Sequence, residues 1–120
     1  MAITVTNPGP AKAGWFINAT SADASGCETL KAAPAAGTAI IIDHLTINNG
    51  SGGAQSITIG QGKTGAAVTT ALLGPVAMAA NTSLTWTFLN GGLKLADATA
   101  LTIDSSSNTD LSVFASGRVE

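Results

Sequence analysis

The strongest constraint on the fold is a strict alternation of small hydroxyl-bearing and large apolar residues at positions 83–88, which read SLTWTF. A period of two is that of a β-strand, whose successive side chains point to opposite faces. Leu84, Trp86 and Phe88 therefore share one face of a sheet, where we expect Trp86 in the core, and the opposite face carries hydroxyl groups. Similar short runs recur along the chain between clusters of Gly, Asn, Ser and Asp. The pattern predicts β-strands joined by polar turns.

Candidate strands can be recognised by their apolar runs and by the turn residues around them, and we expect eight or so of them to form. The candidate segments are residues 3–6, 14–19, 28–33, 38–49, 56–60, 68–73, 76–79, 83–88, 93–95, 100–104 and 111–119. No stretch has the 3.6-residue period of a helix, and the Ala-rich segment 32–36 contains a proline. The chain is therefore expected to be all-β, a single-domain β-sandwich of about eight antiparallel strands and jelly-roll-like, with another Greek-key strand order as the alternative.

Local signals refine this expectation at three places. The apolar positions of residues 38–49 change phase, which predicts a bulge near Asp43-His44 or burial on both faces. The turn sequence at 49–53 predicts a hairpin with the strand at 56–60. Gly74-Pro75 predicts a bent or edge strand, because proline lacks the N–H that a central strand donates.

The N-terminal segment is expected to form an arm at residues 1–13, ahead of a β-sandwich domain at 14–120. Asn7-Pro8-Gly9-Pro10 must end any strand that includes Ile3 and Val5. Trp15 and Phe16 are neighbours, so their side chains point to opposite faces and one of them must leave the local core. We therefore expect the arm to be loosely attached or bound to a neighbour, and Trp15 and Phe16 to contact another subunit or a partner.

Charged residues make up only 10% of the 120 residues, the net charge is −2, and 45% of residues are hydrophobic. The five Lys and Arg residues are scattered singly, which argues against a nucleic-acid partner, since phosphate binding needs clustered positive charge. No stretch is long and apolar enough for a membrane span, and nothing at the N-terminus resembles a signal peptide, so synthesis in a cytoplasm without export is expected. Scarce charge also predicts self-association or a larger assembly, although Ser, Thr, Asn and Gly could supply solubility alone.

Glycine-rich and phosphate-binding motifs fail on their context. Residues 60–65 match the G-x-G-x-x-G string of dinucleotide-binding proteins. That motif needs a helix after the loop and an acidic residue further on, whereas a β-branched run follows here and no Asp or Glu occurs between Asp43 and Asp97. An ordinary glycine-rich loop is the favoured interpretation.

Catalytic and metal-binding signals are also weak. His44 is the only histidine and Cys27 the only cysteine, so no intrachain disulfide can form and no paired metal-ligand spacing exists. Cys27 has no positive neighbour that would lower its pKa, which favours a small buried or loop thiol. Asp97, Asp104 and Asp110 are too widely spaced for a calcium loop and are expected in turns. We expect no enzyme activity and no cofactor.

Three stretches carry a family resemblance: AAGTAIIIDHLTINNGSGGAQSITIG, LLGPVAMAANTSLTWTFLNGGLKLADATALTIDSSS and LSVFASGRVE. Over about residues 37–119 the chain resembles small structural proteins of tailed bacteriophages, namely head decoration (cement) and head-fibre proteins. The shared layout is an apolar strand, a polar turn, a Gly-Pro turn, an Ala-Ala-Asn turn before an aromatic strand, and a closing strand.

This resemblance implies a jelly-roll-like sandwich, often a homotrimer, bound to the outside of a capsid. The expected partner is the major capsid protein, and the expected location is the virion surface after synthesis in the host cytoplasm. The arm carrying Ile3 and Val5 would be the natural capsid or neighbour contact. A carbohydrate-binding or fibre-type adhesion module, using the loops or Trp15, is the alternative, and an enzyme dependent on His44 is a more distant one.

Overall fold

The computed structural model describes residues 13–20, 26–106 and 111–120. These residues form nine β-strands and no helix. The strands are β1 (Ala13–Thr20), β2 (Glu28–Lys31), β3 (Ile40–Asn49), β4 (Gln55–Thr64), β5 (Ala67–Met78), β6 (Thr82–Thr87), β7 (Leu93–Lys94), β8 (Leu101–Ser105) and β9 (Leu111–Val119).

The strands form two antiparallel sheets. The first sheet has the order β1-β9-β3-β6, with the short β7 also paired to β3, and the second has the order β2-β8-β4-β5. Apart from β7, consecutive strands lie in opposite sheets, except that β4 and β5 form a hairpin. This strand order is that of a jelly roll, so the predicted all-β sandwich fold is confirmed.

The core lies between the two sheets and is built from the apolar positions of the alternating strands. Ile42, Leu45 and Ile47 of β3 are completely buried and pack with Ile59 of β4 and Leu101 of β8. Leu84, Trp86 and Phe88 are partly buried against this cluster, as their shared parity predicts. The inner faces are thus apolar on both sheets, and the outer faces carry the polar positions.

The predicted bulge in the long strand is confirmed. In the pairing of β3 with β9, the register shifts between Ile42 and His44. The extra residue resets the alternation, so Ile40 and Ile42 before it and Leu45 and Ile47 after it are all fully buried. The bulge explains why the apolar pattern of this segment changes phase.

The predicted hairpin between residues 38–49 and 56–60 is wrong, because β3 and β4 belong to different sheets. Asn49 redirects the chain: its buried amide nitrogen donates to the carbonyl oxygens of Gly53 (3.0 Å), Met78 (3.3 Å) and Ala79 (3.1 Å). Its carbonyl oxygen accepts from the backbone N–H of Ser51 (3.1 Å). These bonds fix a turn that crosses the sandwich, whereas a tight hairpin would have returned along β3.

The glycine-rich segment at 60–65 was expected to be a loop, but all except its last residue lies in β4. A Cβ on Gly60 would come within 2.7 Å of the carbonyl oxygen of Thr70, so glycine allows β5 to approach closely. The turn of the β4–β5 hairpin follows at Gly65. The predicted edge strand with Gly74-Pro75 is confirmed, since β5 lies at the edge of the second sheet.

Candidate binding face

The outer side of the first sheet is an uncharged surface built from the hydroxyl-bearing positions of four adjacent strands. Three residues from each strand contribute to it, and we name this set the hydroxyl face. It consists of Phe16, Asn18 and Thr20 of β1, Ser112, Phe114 and Ser116 of β9, His44, Thr46 and Asn48 of β3, and Ser83, Thr85 and Thr87 of β6. It is the surface on which the alternation of the sequence places its small polar residues.

Cross-strand hydrogen bonds hold the β3 and β6 side of this face in place. The hydroxyls of Thr46 and Thr85 lie 3.1 Å apart, and the Ser83 hydroxyl donates to Asn48 Oδ1 at 2.9 Å. These residues are directly opposite each other in the register of β3 and β6. Because the side chains are already paired, a partner meets an ordered surface and orders fewer free rotamers on binding.

Two phenylalanines project from the other half of the face. Phe16 and Phe114 are diagonal neighbours, since Phe16 lies opposite Ser116 and Phe114 opposite Asn18. Their ring centroids are 4.7 Å apart at an interplanar angle of 84°, an edge-to-face contact. Phe16 is 62% exposed and Phe114 is 40% exposed. A paired aromatic patch on a polar sheet face is a common feature of contact surfaces.

Charge is confined to the rim of the face. His44 is the only titratable residue in the set, and its Nδ1 lies 3.4 Å from the Thr87 hydroxyl. In the next row of β9, Arg118 Nη1 pairs with Asp43 Oδ1 at 2.8 Å, and Arg118 Nε lies 3.7 Å from Glu120 Oε1. The nearest guanidinium is thus compensated by carboxylates and offers little net charge to a partner.

The structure places the predicted contact residues on different surfaces. Phe16 lies on the hydroxyl face, whereas Trp15 points inward, is half-buried, and donates its indole N–H to the Arg118 carbonyl at 3.1 Å. The opposite orientation of these neighbours is as the sequence predicts. Ile3 and Val5 lie outside the described residues, so the contact role of the arm stays a prediction.

Phe114 is a member of the face that the sequence reading missed. Its outward parity within β9 could be read from the alternation with the buried Val113 and Ala115. Its position beside Phe16 could not, because that contact depends on the pairing of β1 with β9, which joins the two ends of the described chain.

The residues considered for chemistry are scattered. Within residues 13–20, 26–106 and 111–120, no group of three or more His, Cys, Asp or Glu could hold a metal ion. Cys27 is buried, as expected for a structural thiol, and burial raises its pKa. Asp97 accepts from the backbone N–H of Gly37 at 3.3 Å in a turn, whereas Asp104 lies in β8, and Asp110 is outside the described residues. In the part of the chain described, no helix could cross a membrane.

The described residues also form a shallow groove on the second sheet. Its volume is about 220 Å³, and its lining is formed by Ser56, Thr58, Pro75, Asp104, Ser105 and Ser106. Asp104 is its single carboxylate, and the described lining offers no aromatic ring or second acid. The groove is therefore a weaker candidate than the hydroxyl face.

Comparison of the chain with protein-family models, with curated proteins and with solved structures finds no match.

Proposed function

We propose that this chain is a non-enzymatic virion structural protein, a decoration or cement protein that binds the outside of the mature head of a tailed bacteriophage. The observation that carries the proposal is the hydroxyl face, a broad uncharged surface with an exposed aromatic pair formed by Phe16 and Phe114. The resemblance of residues 37–119 to phage head proteins supports the choice of the major capsid protein as partner.

The chemistry of the face suits a protein partner. The centres of protein interfaces are depleted in charged residues and enriched in aromatic ones, and the hydroxyl face has both properties. Ser, Thr and Asn side chains can exchange water for hydrogen bonds across a contact without the desolvation cost of a buried charge. A nucleic acid, in contrast, would need the clustered cations that the chain lacks.

Stabilisation of the head follows from mass action. If the protein binds only the mature lattice and bridges neighbouring capsid subunits, it favours that state by RT ln(1 + [L]/Kd). At a free concentration one hundred times Kd, this amounts to about 2.7 kcal/mol per site. Many sites per shell add their contributions, which resists the internal pressure of packaged DNA. A homotrimer would present several contact faces to the lattice at once.

Co-sedimentation of the purified protein with heads of the phage that encodes it tests this proposal. We expect saturable binding to mature, expanded heads and much weaker binding to immature shells. Heads that carry the protein should also lose their DNA at a higher temperature than bare heads. Absence of binding to bare mature heads would contradict the proposal.

A carbohydrate-binding or fibre-type adhesion module is the second candidate, favoured by the exposed ring of Phe16, on which a sugar could stack. Trp15, the residue first considered for stacking, is half-buried and hydrogen-bonded to the backbone, so it does not offer an open ring face. Glycan-array binding that is lost in Phe16→Ala, together with no affinity for heads, would favour this second function.

A further inference from the structure

The four outer edges of the two sheets differ in how well they are protected against pairing with another strand. In the second sheet, β2 is short, carries Glu28 and Lys31, and has a register shift, while β5 contains Gly74-Pro75 and further shifts. In the first sheet, β1 and β6 have no charged residue, no proline and an unbroken register. Charges, prolines and bulges are the usual devices that block an edge, and β1 and β6 themselves have none of them. Lys94 is the charged residue of the short β7, which pairs with β3 beyond the end of β6.

The open edge of β6 presents regular hydrogen-bonding groups. The backbone N–H of Phe88, just after β6, donates to the Asp43 carbonyl at 3.0 Å. Antiparallel strands alternate the direction of these groups, so Trp86 and Leu84 also bond to β3. Ser83, Thr85 and Thr87 consequently point their N–H and C=O groups away from β3. Within the described ranges, no strand pairs with that side of β6.

Apolar side chains at both edges remain partly uncovered. Trp15 and Ile17 of β1, and Leu84 and Trp86 of β6, pack against the core but are only partly buried. Each lies in the outermost strand of the sheet, where no described strand covers its outer flank. A further strand at either edge would cover these side chains and satisfy the open backbone groups.

We propose that the two edges pair with each other between copies, β1 of one copy adding to β6 of the next. Each step of the order β1-β9-β3-β6 is antiparallel, so β1 and β6 run in opposite directions and a copy related by rotation joins in antiparallel fashion. Such head-to-tail pairing satisfies both unprotected edges, whereas a β6–β6 dimer would leave β1 open. Such pairing forms a closed ring when the rotation that relates neighbouring copies is a whole fraction of a full turn. This inference deepens the proposed function, whose homotrimer would be such a ring.

Replacing Thr85 tests the edge directly. Thr85→Pro removes an N–H that points to the open edge, while every hydrogen bond between β6 and β3 is kept. Thr85→Ala is the matched control, because it keeps that N–H. We expect the wild type and Thr85→Ala to form one defined oligomer at micromolar concentration by light scattering. Thr85→Pro should raise the dissociation concentration at least about tenfold, because one edge hydrogen bond is lost and its partner group is left unpaired. A monomeric wild type, or a folded Thr85→Pro protein of unchanged mass, would overturn the inference.

Disulfide trapping identifies the strand that pairs with the open edge of β6, even if Thr85→Pro fails to fold. Within one copy, Asn18 and Thr85 lie at opposite ends of one register row, three strand spacings or about 14 Å apart, which is too far for a disulfide. Thr85→Cys protein is mixed with Phe16→Cys, Asn18→Cys or Thr20→Cys protein and oxidised. A mixed dimer in at least one mixture is expected.

Two other ways of pairing with the open edge of β6 would give different trapping results. Dimers of Thr85→Cys protein alone would indicate β6–β6 pairing, and a mixed dimer with Val5→Cys protein but with none of the β1 variants would indicate the N-terminal segment. Either result, or no mixed dimer at all, would overturn the inference. Head binding is measured separately, so an oligomer that traps through β1 but does not bind heads contradicts only the proposed function.

Discussion

Phe16→Ser separates partner binding from folding, because most of the phenylalanine ring is exposed to solvent. The side chain is 62% exposed, and its ring makes an edge-to-face contact with the ring of Phe114. A phenylalanine carries about 200 Å² of surface, so about 120 Å² of this ring is open to a partner and about 80 Å² is covered by its own chain.

These areas set the expected magnitudes. At about 25 cal/mol per Å², covering the open part contributes up to about 3 kcal/mol to binding, which corresponds to about 150-fold in Kd. Loss of the covered part lowers the free energy of unfolding by at most about 2 kcal/mol, since the unfolded chain also hides some of that surface. The variant should therefore fold, and its affinity for mature heads should fall by at least about tenfold.

Leu89→Ser is the matched control, because Leu89 is 76% exposed and lies in the turn after β6, outside the hydroxyl face. Affinity is measured by quantitative co-sedimentation with mature heads, and stability by urea unfolding. We expect Leu89→Ser to bind within about threefold of the wild type, because its side chain is not part of the contact. Equal affinities for Phe16→Ser and the wild type would refute the assignment of the hydroxyl face as the contact.

Three further predictions concern the fold. Asn49→Ala should lower the free energy of unfolding by about 3 kcal/mol, because three carbonyl groups lose their hydrogen-bond donor. The control Asn48→Ala, on the exposed face, should change that free energy by less than about 0.5 kcal/mol. Urea unfolding midpoints of the two variants test this difference. Gly117→Ala should lower the free energy of unfolding by about 3 kcal/mol, since its Cβ would lie 1.9 Å from a carbonyl oxygen of β3. The control Gly52→Ala adds a Cβ in open space and should leave the melting temperature unchanged. Thermal melts compare the two variants. Burial raises the pKa of Cys27, so its contribution to stability is complete below the unfolded pKa of about 8.5 and is lost as the pH rises above it; Cys27→Ala should remove that alkaline decline in urea titrations.

The strands and their inward faces could be predicted because alternation is a local property of the sequence. Ile40 and Ile42 before the phase change at Asp43-His44, and Leu45 and Ile47 after it, follow from the period of two, although Ile41 on the opposite face is buried as well. The opposite orientation of Trp15 and Phe16 follows from the same rule. These features need no knowledge of which strands are neighbours.

Strand pairing was harder to predict, because it depends on contacts between distant segments. The turn at 49–53 has the composition of a hairpin, but the side chain of Asn49 bonds to the segment after β5 and sends the chain to the other sheet. Gly60 lies in a strand and allows β5 to pack closely against it, instead of forming a loop. This role depends on β5 as the neighbouring strand, which the local sequence does not specify. The aromatic patch at Phe114 likewise arises from the register of β1 and β9.

The most direct test of the central claim is the affinity for mature heads at low and at high ionic strength. A contact made by the hydroxyl face buries no net charge, so Kd should change by less than about threefold between about 0.05 M and about 0.5 M salt. Binding that weakens tenfold or more over this range would place the contact on charged residues. That result would contradict the claim that the hydroxyl face holds the protein to its partner.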